Sequence, residues 1–330
     1  MKLIKKGLIL LLITFAVFFL LDEVFTAVFK NGTYNKSQWL NHIHDQQYDY
    51  IIHGSSRAYT TLNVGKLNKE TGLKGLNISV DGSWIADQKL MLEMFLDKGN
   101  KMKKLYLQID PWAVNKDSMS HFAIPKFFPY LKEDLVFNHY KDYGAQWYAY
   151  RYVPFYRYAE FNSTWGIHQV LVDMFNLMKP DFDEYGGHFY TETTYRGSIK
   201  MGDPSVQNYF FSPIKLDKYG KPELDENGKS KPAELKYLNK IIDICKKNNI
   251  ELICFTAPVS NVNADEAYRK NIDELRKILE SKEVKYYDFA PVYATQFDHF
   301  TDEIHLNPKG VAAFHEEFKK ILIPEKTETK

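Results

Sequence analysis

Cysteine is nearly absent from this chain, with only Cys245 and Cys254 among 330 residues. That count excludes a disulfide scaffold and a Cys-rich zinc module. Cys245 falls in a helical pattern and Cys254 in a strand pattern, so both are expected as small buried core residues and not as a bridge. An excess of charge is missing too, because 43 Lys and Arg oppose 42 Asp and Glu for a formal net charge of +1. A dedicated nucleic-acid binder carries a clearly basic domain, so no nucleic-acid partner is expected. No Gly-x-x-x-x-Gly-Lys phosphate loop occurs, and no His and carboxylate spacing reads as a metal site, so neither a metal nor a cofactor is implied. Internal repeats of about 20–50 residues, the mark of solenoids, are also missing. Disorder falls away because 45% of the residues are hydrophobic and 26% charged, the composition of a globular protein. The length predicts two domains, or one α/β domain carrying a large insertion.

Long apolar runs are scarce, and the exception is N-terminal. Lys2, Lys5 and Lys6 precede an uncharged stretch of 15 residues from Gly7 to Leu21. This is shorter than the ~20 residues a spanning helix prefers and fits the upper end of a signal-peptide apolar region. Asp22 and Glu23 follow, and no small-x-small cleavage pattern comes after them, since the residue two before Ala27 is the bulky Phe25. Residues 1–29 are therefore expected as an uncleaved single-pass signal-anchor. The lysines precede the span, so the positive-inside rule places the N-terminus in the cytoplasm and residues from about 30 onward outside it.

Beyond the anchor, apolar periodicity alternates between the two regular structures. Strands are predicted over residues 48–53, 75–80, 104–109, 251–255 and 284–289. Helical patterns cover 58–71, 85–97, 234–248, 264–282 and 308–322. This order predicts an α/β fold with a five-stranded parallel sheet and helices on both faces. Between residues 113 and 232 the alternation breaks, and almost half of the aromatic side chains crowd between His121 and Phe211. The stretch reads as an insertion without sustained strand or helix period, whose rings either fill a core or line a wall for sugar faces or lipid headgroups.

In an open parallel sheet the ligand crevice lies beyond the carboxyl ends of the strands. Ser55 and Ser56 follow the first strand, Asp81 and Gly82 the second, Asp110 the third and Ser260 the fourth, while Asp302 and His305 follow the fifth. Acyl-transfer chemistry needs a hydroxyl nucleophile, an imidazole to take its proton and a carboxylate to orient the imidazole. Ser56, His305 and Asp302 supply that set. Their i, i+3 spacing lets Asp302 reach His305 across a tight turn. Arg57 flanks the serine turn, and His53 reads as a strand residue. His188 in Gly-Gly-His-Phe-Tyr and Arg196 in Tyr-Arg-Gly are candidate substrate contacts on the insertion, as are Arg57 and Asp110 on the rim.

Gly54-Ser55-Ser56 after the first strand and Asp302-Glu-Ile-His305 before the last helix resemble the Gly-Asp-Ser and Asp-x-x-His blocks of the SGNH/GDSL hydrolase superfamily. The resemblance covers residues 48–112 and 234–322. It implies a flavodoxin-like sheet in an extracytoplasmic domain over 30–330, with Ser56 as nucleophile, His305 as general base and Asp302 as its orienting acid. The Ser56 and Gly82 backbone N–H groups are the implied oxyanion hole. Two departures stand out. Ser55 replaces the Asp of the first block, and Gln108-Ile-Asp-Pro-Trp replaces the Gly-x-Asn-Asp block, leaving Asn77 or Asn115 to stand in for the missing oxyanion Asn. These changes resemble the membrane-anchored branch found with teichoic-acid D-alanylation and alginate or cellulose O-acetylation. That resemblance implies an O-acyltransferase or esterase on an envelope polysaccharide, working beside a membrane-bound O-acyltransferase. The alternative is a catalytically silent module that binds glycan or tethers that partner.

Overall fold

The computed structural model describes residues 2–31, 38–111, 114, 119–160, 163–175, 224–229, 235–260, 266–302 and 304–323. The chain divides into two compact units. One comprises the described residues of Met1–Gln46, Glu93–Asn100 and His121–Pro180, and the other those of Gln47–Leu92, Lys101–Ser120 and Asp181–Lys330.

The larger unit is built on five parallel strands, β1 (Gln47–His53), β2 (Gly75–Asn77), β3 (Lys101–Gln108), β4 (Glu251–Thr256) and β5 (Lys285–Asp288), in the order β2-β1-β3-β4-β5. Every neighbouring pair is parallel, with Ile51 opposite Leu105 and Leu105 opposite Leu252 in register. The inner strands bury both faces, which explains why β1, β3 and β4 carry unbroken apolar runs, Tyr50–Ile52, Leu105–Leu107 and Leu252–Phe255, and do not alternate there. On one face Tyr50, Ile52, Tyr106 and Phe255 pack with Leu67, Phe314 and Phe318. The last two come from the C-terminal helix, Pro308–Leu322, and Leu67 from Val64–Thr71. On the other face Ile51, His53, Leu105, Leu107 and Cys254 are buried. Cys245 and Cys254 are both free and buried.

The predicted elements are present with small differences. The helical pattern 58–71 is two helices, α2 (Ser56–Tyr59) and α3 (Val64–Thr71), because the Asn63 side chain caps the second by accepting from the Lys66 N–H. The second strand stops at Asn77, three residues early, since the Asn77 Oδ1 takes the Ser79 N–H at 3.0 Å and turns the chain locally. Further helices are α4 (Ile85–Asp97), α10 (Lys236–Lys247), α11 (Glu266–Ser281) and α12 (Pro308–Leu322).

His53 is fully buried in β1. Its Nε2 donates to the Gln88 carbonyl at 2.8 Å. Burial pulls the imidazole down to about 4, so it is neutral in the folded protein. The unfolded chain binds this proton near its ordinary value, so stability is intact above about pH 6.5. It is expected to fall by about 3 kcal/mol as pH drops to about 4. Urea unfolding of wild type and His53→Gln across that range checks this, since the variant loses the pH-dependent component.

The smaller unit corrects the reading of the insertion. The described part of the aromatic stretch, residues 121–160 and 163–175, is mostly helical, with α5 (Ile124–Phe127), α6 (Asp134–Tyr140), α7 (Gln146–Tyr152), α8 (Tyr156–Glu160) and α9 (Ser163–Met174). Large rings on short helices blur the 3.6-residue period. Tyr140 stacks on Trp147 at 4.3 Å, and Phe128 meets Tyr150 and Tyr158, so these rings are packing and not a sugar-facing wall. The N-terminal helix α1 (Lys2–Asn31) also belongs to this unit. It is long and apolar enough to cross a membrane. Its residues up to Leu20 are exposed, whereas Asp22, Thr26 and Phe29, one face at i, i+4 and i+7, are buried.

Asp22 is held by Arg157 at 3.0 Å and by Lys132 at 2.8 Å, and also accepts the Phe155 N–H. Arg157, with no exposed surface, also donates to Thr26 Oγ1 and the Tyr150 carbonyl. Arg157→Met strips the buried carboxylate of its main partner. It is expected to cost about 3 kcal/mol, the low end for a broken buried pair because Lys132 remains. Thermal unfolding in detergent micelles measures it.

Candidate active site

Ser56 opens α2 directly beyond the end of β1. Ser55 is the cap of that helix, its side chain accepting the Arg57 N–H at 3.3 Å and donating to Gln108 Oε1 at 2.8 Å. Gln108 Oε1 also accepts the Ser55 N–H at 3.2 Å, so the last residue of β3 holds the turn that presents Ser56. This packing needs glycine at position 54, where a Cβ would lie 2.7 Å from Gln108 Cβ and 3.0 Å from Ala58 Cβ. The Thr60 N–H and hydroxyl both reach the Ser56 carbonyl and close the short helix.

His305 arrives from the loop before α12. The Asn307 side chain caps α12 by accepting from Lys309 and Gly310 N–H, and its amide donates to the Asp298 and Phe300 carbonyls. Phe300 and Leu306 form an antiparallel bridge, and the Thr301 N–H donates to the His305 carbonyl. The loop is therefore tied at both ends before any catalytic contact is counted.

These two turns meet. Ser56 Oγ lies 2.7 Å from His305 Nε2, and His305 Nδ1 lies 2.8 Å and 3.0 Å from the two Asp302 oxygens. Asp302 Oδ1 accepts the Ile304 and His305 N–H groups as well, at 2.9 and 2.8 Å. Burial alone would push the Asp302 carboxyl up. The His305 hydrogen bond and charge, with the two backbone donors, outweigh it and hold the carboxyl below its ordinary value. An ionised Asp302 accepts only, so Nδ1 carries a proton, Nε2 is left as acceptor, and the Ser56 hydroxyl donates to it. Ser56 and His305 are both half-buried and open to a ligand.

The remaining expected site residues separate into three groups. Ser56 N–H, at the first helical position, and Gly82 N–H donate to no acceptor among the described residues. Gly82 has φ +67°, a conformation that suits glycine. Asn77 is a correction. It is buried and its amide donates to the Ala58 carbonyl at 3.1 Å, so it brackets α2 and is committed elsewhere than an oxyanion.

Arg57 and Asp110 are also corrections as substrate contacts. Arg57 is 1% exposed and paired with Asp110. Its guanidinium donates to the carbonyls of Ala257, Pro258 (3.0 Å) and, through Nε, Ile304 (3.2 Å). It links the residue after Ser56 to β4's end and to the Asp302–His305 turn, which makes it a brace between them. Full burial pushes the Asp110 carboxyl above its usual value, against the pull of Arg57. Nothing in the local sequence shows that both are buried.

His188, Arg196 and Asn115 lie outside the described residues. A small cavity lined by Ser55, Ser83, Gln88, Gln108 and Asp110 sits behind the serine turn. Gln88 Oε1 there has no hydrogen-bond partner among the described residues, and the cavity's size and polarity suit a bound water. The described residues offer one cluster with metal-ligand atoms, Glu70, His315 and Glu316, on α3 and α12. Lys319 pairs with both of its glutamates, at 2.9 and 2.7 Å, so an ammonium already balances them. No protein-family model matches this chain, and no curated protein matches it.

Proposed function

We propose that this protein is a membrane-anchored, SGNH-like O-acyltransferase or esterase that works through an acyl-Ser56 intermediate on a cell-envelope polysaccharide. The observation that carries the reading is the continuous chain from Ser56 Oγ through His305 to Asp302, at 2.7 and 2.8 Å. Ser56 Oγ attacks the donor's carbonyl carbon as its proton passes to His305 Nε2, and the tetrahedral oxyanion takes the Ser56 and Gly82 N–H groups. The C–O bond to the leaving alcohol breaks and that oxygen receives the proton from His305. An acceptor hydroxyl, or water, then gives its proton to His305 and takes the acyl group, and the proton returns to Ser56. Ser55 supports the SGNH reading, since a serine caps a helix much as the aspartate of the usual block would.

The membrane reading rests on α1, whose N-terminal lysines stay cytoplasmic by the positive-inside rule and leave the serine site outside. The polysaccharide, the acyl donor and a membrane-bound O-acyltransferase partner rest on the resemblance. One observation favours the second reading, a silent glycan-binding or tethering module: Asn77 is committed to Ala58, leaving two backbone donors for an oxyanion. The test is treatment of the full-length protein in detergent with a fluorophosphonate probe and with a chromogenic acetyl ester, read by intact mass. A Ser56 adduct with turnover upholds the enzyme, and a serine inert to both reagents upholds the silent module.

A further inference from the structure

The helical insertion leaves apolar surface outside as well as inside. On α9, Ile167, Leu171 and Met174 follow one another at spacings of four and three and share one face, each 45–52% exposed. Phe175 continues that face, and Tyr152 and Val153 at the end of α7 are exposed too. A patch of this kind calls for a partner.

Its position along α1 identifies the partner. Phe155 stacks on Phe18 at 6.3 Å and meets Phe25 edge-on at 4.9 Å, and Tyr158 stacks on Phe29 at 5.7 Å. The Lys132 ammonium lies 5.8 Å from the Phe19 ring, and α9 packs along α1. The insertion helices therefore stand level with residues 18–29, where the apolar run ends. That run is short, since fifteen residues rise about 22 Å against a hydrocarbon core of about 30 Å. Snorkelling of Lys5 and Lys6 recovers part of the difference at one end. At the other end, a bilayer fitted to α1 reaches past Leu21 to the level of Asp22 and Phe25. The chain is prepared for that depth: Asp22 is 1% exposed and paired with Arg157, and Glu23 is paired with Lys132 at 2.6 Å.

We propose that the exposed face of α7–α9 lies in the headgroup–acyl boundary of the bilayer, a collar that completes a membrane seat for which α1 alone is too short. Tyrosine and phenylalanine at one end and aliphatic residues on a short surface helix are what that boundary takes up. The inference rests on α1 being a spanning helix, and the experiment separates the two.

Single cysteines replace Tyr152, Leu171, Phe15 in the span, and Lys247 on exposed α10 as a control; all four positions are exposed. The native Cys245 and Cys254 are buried and stay unlabelled by a thiol-reactive fluorophore. The labelled full-length protein goes into phosphatidylcholine vesicles brominated either near the headgroup or near the chain end. Labels at 152 and 171 are expected to be quenched strongly by the shallow bromines and weakly by the deep ones, the label at 15 by the deep ones, and the label at 247 by neither. Quenching at 15 with none at 152 and 171 overturns the collar and leaves that face to a protein. No quenching at 15 overturns the spanning helix, and the collar with it.

Discussion

Replacing Ser56 with alanine is expected to abolish ester turnover and fluorophosphonate labelling while leaving the fold intact. The substitution deletes one half-buried oxygen whose side-chain partner among the described residues is His305 Nε2. No packed methyl is lost, and the Ser56 carbonyl that holds Thr60 stays. Stability should move by less than about 1 kcal/mol, the scale of one hydrogen bond exchanged for water. The rate falls for a different reason. Without the hydroxyl there is no acyl-enzyme, and what remains is a direct attack by water assisted by the oxyanion donors. In triads of this type that residue of activity lies about 10⁶-fold below the intact enzyme in kcat. The measurement is steady-state hydrolysis of a chromogenic acetyl ester beside thermal unfolding of both proteins. Lost turnover with an unchanged melting temperature assigns the nucleophile; retained turnover removes Ser56 from the mechanism.

Asp302→Asn is expected to lower kcat by about 10⁴-fold, the cost of the wrong imidazole tautomer. As a carboxylate, Asp302 accepts from His305 Nδ1 and from two backbone N–H groups. An Asn oxygen can keep the backbone pair, but its NH2 then faces Nδ1 as a donor. The ring answers by placing its proton on Nε2, where it can no longer accept from Ser56. The pH behaviour follows from the same contacts. His305 and the backbone donors hold Asp302 below its ordinary value, so it stays ionised as pH falls toward 4. Its contribution to stability is present above the unfolded carboxylate value and is lost only as pH drops through the lower folded one. A pH–rate profile with Asp302→Asn beside Ser56→Ala distinguishes the roles. The Asn variant should still bind the fluorophosphonate slowly, and the Ala variant not at all.

Two consequences of the fold reach the site from outside it. Gly54 lets β1 and β3 approach closely enough for Gln108 to hold Ser55, so a glycine without a turn of its own sets the position of Ser56. Arg57 ties the helix that carries Ser56 to the Asp302–His305 turn through the Ile304 carbonyl. A triad assembled from residues 249 positions apart depends on such braces, because misplacement by an ångström costs orders of magnitude in rate.

The strands and most helices of the sheet unit were legible in the sequence, because burial on both faces of a parallel sheet writes itself as apolar runs and the helices between them as periodic stripes. That Ser56, Asp302 and His305 would lie together was legible as well, since strand ends in such a sheet converge on one rim and two short motifs fell there. The apolar N-terminal run and the absence of a phosphate loop are likewise properties of the sequence alone. Only the tertiary structure decided the rest, for a common reason: these features depend on contacts between residues far apart in the chain. Arg57 and Asp110 look like rim charges until burial turns them into a brace. Asn77 looks like an oxyanion donor until its amide meets the Ala58 carbonyl. The aromatic insertion has no readable period, because its short helices are stabilised by ring-on-ring packing, and only that packing shows α1 continuing into it through Asp22 and Arg157.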